Sequence, residues 1–246
     1  MPNEPKLRTV NKAKPPYELN KFPPSFVETL GKELVYLMAT KDSYSLEGNE
    51  WEQIFANCIN ATWKPSNVGL DDIILGSCCW GAKTVIASSK NILSQKTVRL
   101  ISGRNSPAYS FEEDNILHQD PNYIGSLVLD IWNERVSAVR QIYKFVRTVV
   151  LIKGKTFDEF MVFETDTVRY DPELYKFKWN KKNNLEGYNK SDDRHCFTWQ
   201  PHGSQFTIIE EIPSDYTAIK VKKPDKLDKK QVCLLYTSPS PRDMRR

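Results

Sequence analysis

Apolar residues recur at two periods along the chain, and the change from one period to the other marks its elements. In PPSFVETLGKELVYLMAT, Phe26, Leu30, Leu34 and Leu37 fall three or four apart, the stripe of an amphipathic helix opened by proline. GNEWEQIFANCINATW continues that spacing with Trp51, Ile54, Phe55 and Cys58 and predicts a second helix, with Glu50 and Glu52 flanking its apolar face. Short β-branched runs follow. DIILG and AKTVIAS read as two strands separated by SCCWG, whose serine and glycine suit a turn. TVRLIS is a third strand and GRNSPAYS a loop. The longest helical pattern is DPNYIGSLVLDIWNERVSAVRQIYKFV, with Asp120 and Pro121 as cap and first-turn residue and Ile124, Leu127, Ile131, Val136 and Val139 on the buried side. RTVVLIKG and EFMVFETD predict a strand pair joined by KTFD. Beyond them, YKFKWN, HCFTWQ and SQFTIIEEI predict a β-rich C-terminal portion.

Mixed helix and strand patterns of this kind belong to the α/β class. The 246 residues suffice for one large domain that buries roughly three quarters of its unfolded surface. The texture divides the chain into an extended, Pro- and Lys-rich arm over residues 1–24, a single domain over 25–219 and a basic segment over 220–233. Residues 234–246, with LLYTSPSPRD, break from what precedes them and resemble a translated sequencing adapter. Disorder is expected there, with a natural C-terminus replaced. No apolar run reaches the roughly 18 residues of a membrane span, and the N-terminus lacks the apolar core of a secretory signal. A cytoplasmic protein with no membrane partner is therefore expected.

Charge and cysteine narrow the chemistry further. The formal net charge is +4, yet nine Lys or Arg and three Asp lie from Lys220 onward, which leaves 26 basic against 28 acidic residues before it. A nucleic-acid site must then be a local basic surface rather than a property of the whole body. The five cysteines read as reduced buried thiols, and His195, Cys196 and His202 lack the paired spacing of a structural zinc site. A Gly-rich phosphate loop and a GxSxG elbow are both missing.

The chemistry centres on DDIILGSCCWGAKTV, residues 71–85. Neighbouring strands lie about 4.8 Å apart, so a carboxylate at the start of one and a lysine on the next can flank one phosphate. Asp72 and Lys83 suit those places, with Asp71 as the alternative first carboxylate because alternation lets only one of the pair face the site. An Asp before an apolar strand, followed by a tight crossing to a strand carrying x-Lys-Thr, resembles the PD-(D/E)xK nuclease core. WGAKT, GRNSPAYS, LDIWNERV and FTWQPHGSQFTI together resemble blocks of type II restriction endonucleases, over roughly residues 26–215. That resemblance implies a central mixed sheet flanked by helices, Mg²⁺-dependent cleavage of double-stranded DNA at a short specific sequence, a homodimer and a cognate methyltransferase. On that pattern Asp72 binds the metal and Lys83 positions or polarises the attacking water.

One position departs from the pattern, since the acid expected two residues before the lysine is Gly81. Glu52, on the preceding helix, is the preferred substitute as catalytic and metal-binding carboxylate, with Glu50 and Glu112 weaker candidates. The carbonyl of Ala82 is a third metal contact. A non-catalytic DNA-binding protein on the same fold, or another metal-dependent nuclease, are the alternatives.

Candidate DNA contacts fall in three places. Arg104, Asn105 and Ser106 combine guanine-, adenine- and phosphate-binding side chains in one loop. Gln200, His202 and Gln205 surround a turn at PHGS. Lys176 and Lys178 alternate with Tyr175, Phe177 and Trp179, which predicts a strand with a phosphate-contacting row on one face and aromatics on the other.

Overall fold

A computed structural model describes residues 13–228. The expected tail at 234–246 and Cys233 lie outside the described residues. The elements run α1 (Phe26–Thr40), α2 (Gly48–Ile59), β1 (Thr62–Trp63), β2 (Ile73–Leu75), β3 (Cys78–Ile86), β4 (Thr97–Arg104), α3 (Pro107–Ser110), α4 (Pro121–Ile142), β5 (Phe145–Lys153), β6 (Glu159–Asp166), β7 (Tyr175–Trp179), β8 (Leu185–Asn189), β9 (His195–Gln200), β10 (Gln205–Glu211) and β11 (Thr217–Lys220). The chain is α/β, with two sheets and a β-rich C-terminal part. The first sheet has the order β1-β2-β3-β5-β6-β11 and is mixed, with β3 and β5 parallel and the other pairs antiparallel. The second, β4-β10-β9-β8-β7, is antiparallel throughout.

Helix α1 buries Phe26, Leu30, Leu34 and Met38 against α2, which buries Trp51, Ile54, Phe55 and Cys58. Both helices cover one face of the first sheet through Trp80, Ala82, Val149, Leu151 and Val162. Fully burying each of these large apolar side chains contributes roughly 1.5–3 kcal/mol. Helix α4 and the second sheet cover the opposite face, where Cys79 and Val146 meet Val128, Trp132, Phe197 and Phe206. Asp120 starts α4 as expected: its carboxylate accepts the Asn122 and Tyr123 N–H groups at 2.9 and 3.0 Å. The buried stripe is wider than the five positions read from the sequence, taking in Val128 and Trp132 and leaving Ile131 half-buried. Gly125 lets α4 approach β7, because a Cβ there would lie 2.2 Å from the Phe177 ring.

Several boundaries differ from expectation for physical reasons. The expected turn SCCWG is strand from Cys78 onward, and the reversal is the two-residue turn Gly76–Ser77, with Gly76 at φ +60°. Cys78, Cys79 and Trp80 form a continuous apolar run because β3 is covered on both faces, which removes the alternation a half-exposed strand would show. Trp63, read into the second helix, lies on β1, since α2 ends at Asn60 in the left-handed region. Two strands, β8 and β11, carry no clear pattern. The basic segment from Lys220 is integrated into the fold: Val221 N–H bonds Asp158 O at 2.8 Å, and the Lys226 ammonium donates to Met38 O and Lys41 O at 2.6 and 2.7 Å. Lys226 thereby satisfies carbonyls at the C-terminal end of α1, where a cation is favoured. Residues 13–24 are equally integrated, with Tyr17, Asn20 and Phe22 packed or bonded to the core.

Candidate active site and nucleic-acid interface

The β2–β3 hairpin sets the register of the candidate site. Ile73 pairs with Trp80 and both face α1 and α2, so alternation turns Ile74, Cys79, Gly81 and Lys83 towards α4. Asp72 precedes β2 on the same side as Lys83. It is 6% exposed, and its carboxylate accepts the Ser66 N–H at 2.9 Å. Burial pushes the Asp72 carboxyl above the usual range; Glu52 and Asp71 push the same way, while the Ser66 bond and Lys83 oppose them. Burial pushes the Lys83 ammonium down, helped by Arg135 and resisted by Asp72 and Glu52. Among the described residues no hydrogen-bond partner is found for this ammonium.

Gly81 has no room for the acid that the motif would place there. A Cβ at this position would lie 2.8 Å from Gly69 O and 3.1 Å from Leu70 Cα, so the backbone of the loop before Asp72 occupies the place of a side chain. Glu52 is on α2, half-buried, and accepts the Trp63 indole N–H at 2.9 Å. Its charge is felt at both Asp72 and Lys83. Asp71 accepts the Ser66 hydroxyl. Glu50 is committed elsewhere, accepting the Glu47 N–H at 2.7 Å and pairing with Lys41 at 2.9 Å. Glu112 sits exposed after α3 with φ +55°. The Ala82 side chain faces α1 and α2, and pairing of β3 with β2 stops at Trp80, one residue before Gly81.

Among the described residues no group of three His, Cys, Asp or Glu side chains is close enough to hold a metal. The oxygen donors of Asp72 and Glu52 do suit Mg²⁺, which is commonly held by one or two carboxylates with waters and substrate phosphate filling the rest. His195 and Cys196 are engaged internally, the imidazole Nε2 with Phe197 O at 2.7 Å and the thiol with Arg194 O at 3.3 Å.

Arg135, which periodicity marks only as a polar position on α4, ties this site to the second sheet. Its guanidinium donates to Ser102 O at 2.7 Å, Asn105 Oδ1 at 3.3 Å and Val68 O at 2.5 Å. One side chain thus joins the loop carrying Asp71 and Asp72, the end of β4, and α4. Gly103 is glycine for two reasons here: its φ is +115°, and a Cβ would lie 2.4 Å from Arg135 Nη1.

The second sheet gathers most of the expected DNA contacts on its outer face. Gln205 is paired with both Arg104 and Gln200, so three polar side chains from β4, β10 and β9 form one row. His202 is exposed on the adjoining turn. Lys176 and Lys178 are exposed on the same outer face while Phe177 is buried on the inner one. Lys176 pairs with Asp193 at 2.8 Å, and the Lys178 ammonium lies 4.1 Å from the Tyr188 ring centroid. Arg99, which the sequence reading did not single out, adds a cation to this face and donates to Thr198 Oγ1 at 2.8 Å.

Asn105 requires a correction. It is fully buried; its amide donates to Val128 O at 2.9 Å, its side-chain oxygen takes Arg135, and its carbonyl takes the Trp199 indole at 2.7 Å. A side chain so occupied cannot reach a base edge. Ser106 spends its hydroxyl on the N–H of Tyr109, as the cap of α3. No family model, curated protein or solved structure matches the chain.

Proposed function

We propose that this protein is a restriction-endonuclease-like enzyme that hydrolyses double-stranded DNA with Mg²⁺. The observation that carries the reading is the shared facing of Asp72, at the start of β2, and Lys83 of β3, with Asp72 buried, Lys83 half-buried and neither charge fully compensated. Asp72 and Glu52 would hold the metal, with the Ala82 carbonyl as a further oxygen donor. When bound, the ion supplies charge neutralisation at the phosphate and an activated water. Lys83 then orients that water or offsets charge developing on the phosphate. Arg104, Gln200, His202 and Gln205 contact base edges or backbone, and Lys176 and Lys178 contact phosphates. The same reading implies cleavage at a specific sequence by a homodimer, with a companion methyltransferase protecting the host DNA.

A second reading, a DNA-binding protein without cleavage, is favoured by one observation: the Gly69–Leu70 backbone fills the place of the expected acid. The two are separated by incubating the purified protein with unmethylated plasmid and phage DNA, with and without Mg²⁺, beside Asp72→Ala. Discrete fragments that require both Mg²⁺ and Asp72 support the nuclease. Tight, Mg²⁺-independent binding without cutting supports the second reading.

A further inference from the structure

A cavity of about 520 Å³ opens at the carboxyl ends of the two parallel strands, where Ile86 of β3 pairs with Lys153 of β5. Thr84 lines it from the face of β3 opposite Lys83, so this cavity and the candidate active site lie on opposite sides of one strand. Lys153, Lys155 and Lys223 line it, against a single lining carboxylate, Glu47.

Lys153 distinguishes this cavity from an ordinary solvated groove. It is 9% exposed, and its ammonium donates to Leu46 O at 2.7 Å, a carbonyl with only a partial charge. A buried ammonium is ordinarily paired with a carboxylate. Among the described residues none lies within ion-pair distance of it. The charges of Glu47 and then Glu50 reach it without direct contact, and Glu50 already binds both Lys41 and the Glu47 N–H. Lys223 leans over the rim, its ammonium 4.8 Å from the Tyr44 ring centroid. Three lysines, one of them buried, therefore line a space with one acid.

We infer that this cavity binds a phosphate-bearing anion of mononucleotide size, held by Lys153 at its base and by Lys155 and Lys223 at its mouth. The inference stands independently of the nuclease reading, since none of these residues belongs to that site. The phosphate has two possible sources, a free nucleotide or the backbone of DNA.

The test is calorimetric titration of inorganic pyrophosphate into the full chain at fixed ionic strength, for wild type, Lys153→Met and the double variant Lys155→Ala/Lys223→Ala. The double variant alters side chains at the mouth and keeps the test valid if Lys153→Met fails to fold, which circular dichroism reports. Pyrophosphate binding that weakens about tenfold or more in the double variant supports the assignment. Displacement of pyrophosphate by AMP then marks a free nucleotide as the source, and displacement by a short DNA duplex marks the backbone. Binding unchanged in the double variant, no binding to wild type, or equal displacement by sulfate at matched ionic strength would overturn it.

Discussion

Glu164 and Asp72 are both buried carboxylates on the first sheet, and they differ in how completely their surroundings answer them. Glu164 faces α1 and α2, where it accepts the Tyr17 hydroxyl at 2.7 Å, the Trp80 indole at 2.6 Å, Arg147 Nη1 at 3.2 Å and the Asn20 N–H at 3.4 Å. Burial still pushes its carboxyl up, while these donors pull it down. Asp72, on the other face, has one backbone N–H and a lysine that makes no direct bond to it. A saturated buried charge fastens segments together, here residues 13–24 to β3, β5 and β6. An unsaturated carboxylate is disfavoured in the free protein and improves when a cation arrives. The contrast places a lock on one side of the sheet and a candidate site on the other.

Three substitutions break or sharpen that contrast. The largest expected effect on stability is at the lock: Glu164→Ala leaves Arg147 and three other donors without their acceptor and should destabilise the fold by about 3–5 kcal/mol in urea unfolding. A loss under about 1 kcal/mol would mean that the cluster carries little of the fold.

Gly81→Glu comes next. Forcing a side chain against Gly69 O should destabilise by about 1–3 kcal/mol and leave DNA cleavage no faster. A gain in cleavage would show instead that the loop yields and that the expected acid can be restored.

The smallest effect is at Asp72 itself. Its folded carboxyl titrates above the unfolded value of about 3.9, so the folded state retains a proton that the unfolded state has lost, and stability falls as pH rises across that interval. Asp72→Asn removes this dependence. Its melting temperature should equal or exceed that of wild type at neutral pH, with the advantage vanishing under acid conditions. A variant less stable at neutral pH would make Asp72 a second lock.

What the sequence revealed was mainly what neighbouring residues decide. The α1, α2 and α4 stripes, the Asp120 cap and the β5–β6 pair depend on spacing and turn chemistry within a few residues. Asp72 and Lys83 were legible for the same reason, because a short hairpin joins them. Strand β8 was not, since Gly187 is required by the Phe177 and Phe197 rings, which approach it from two other strands. Asn105 resembled a base reader because its loop is polar; only the fold brings Val128 O and Arg135 to its amide. Gln200 and Gln205 face each other across a short hairpin, but the addition of Arg104 to their row and the Arg135 staple arise from pairings about a hundred and about thirty to seventy residues apart, beyond any local pattern.

The most direct test of the incompletely answered site is Lys83→Ala, assayed for Mg²⁺-dependent plasmid cleavage and, separately, for duplex binding by fluorescence anisotropy. The account predicts a loss of cleavage of about 10²–10³ with binding kept, because Lys83 acts on the reacting groups and the outer face of the second sheet is untouched. A variant that cuts as well as wild type would contradict it.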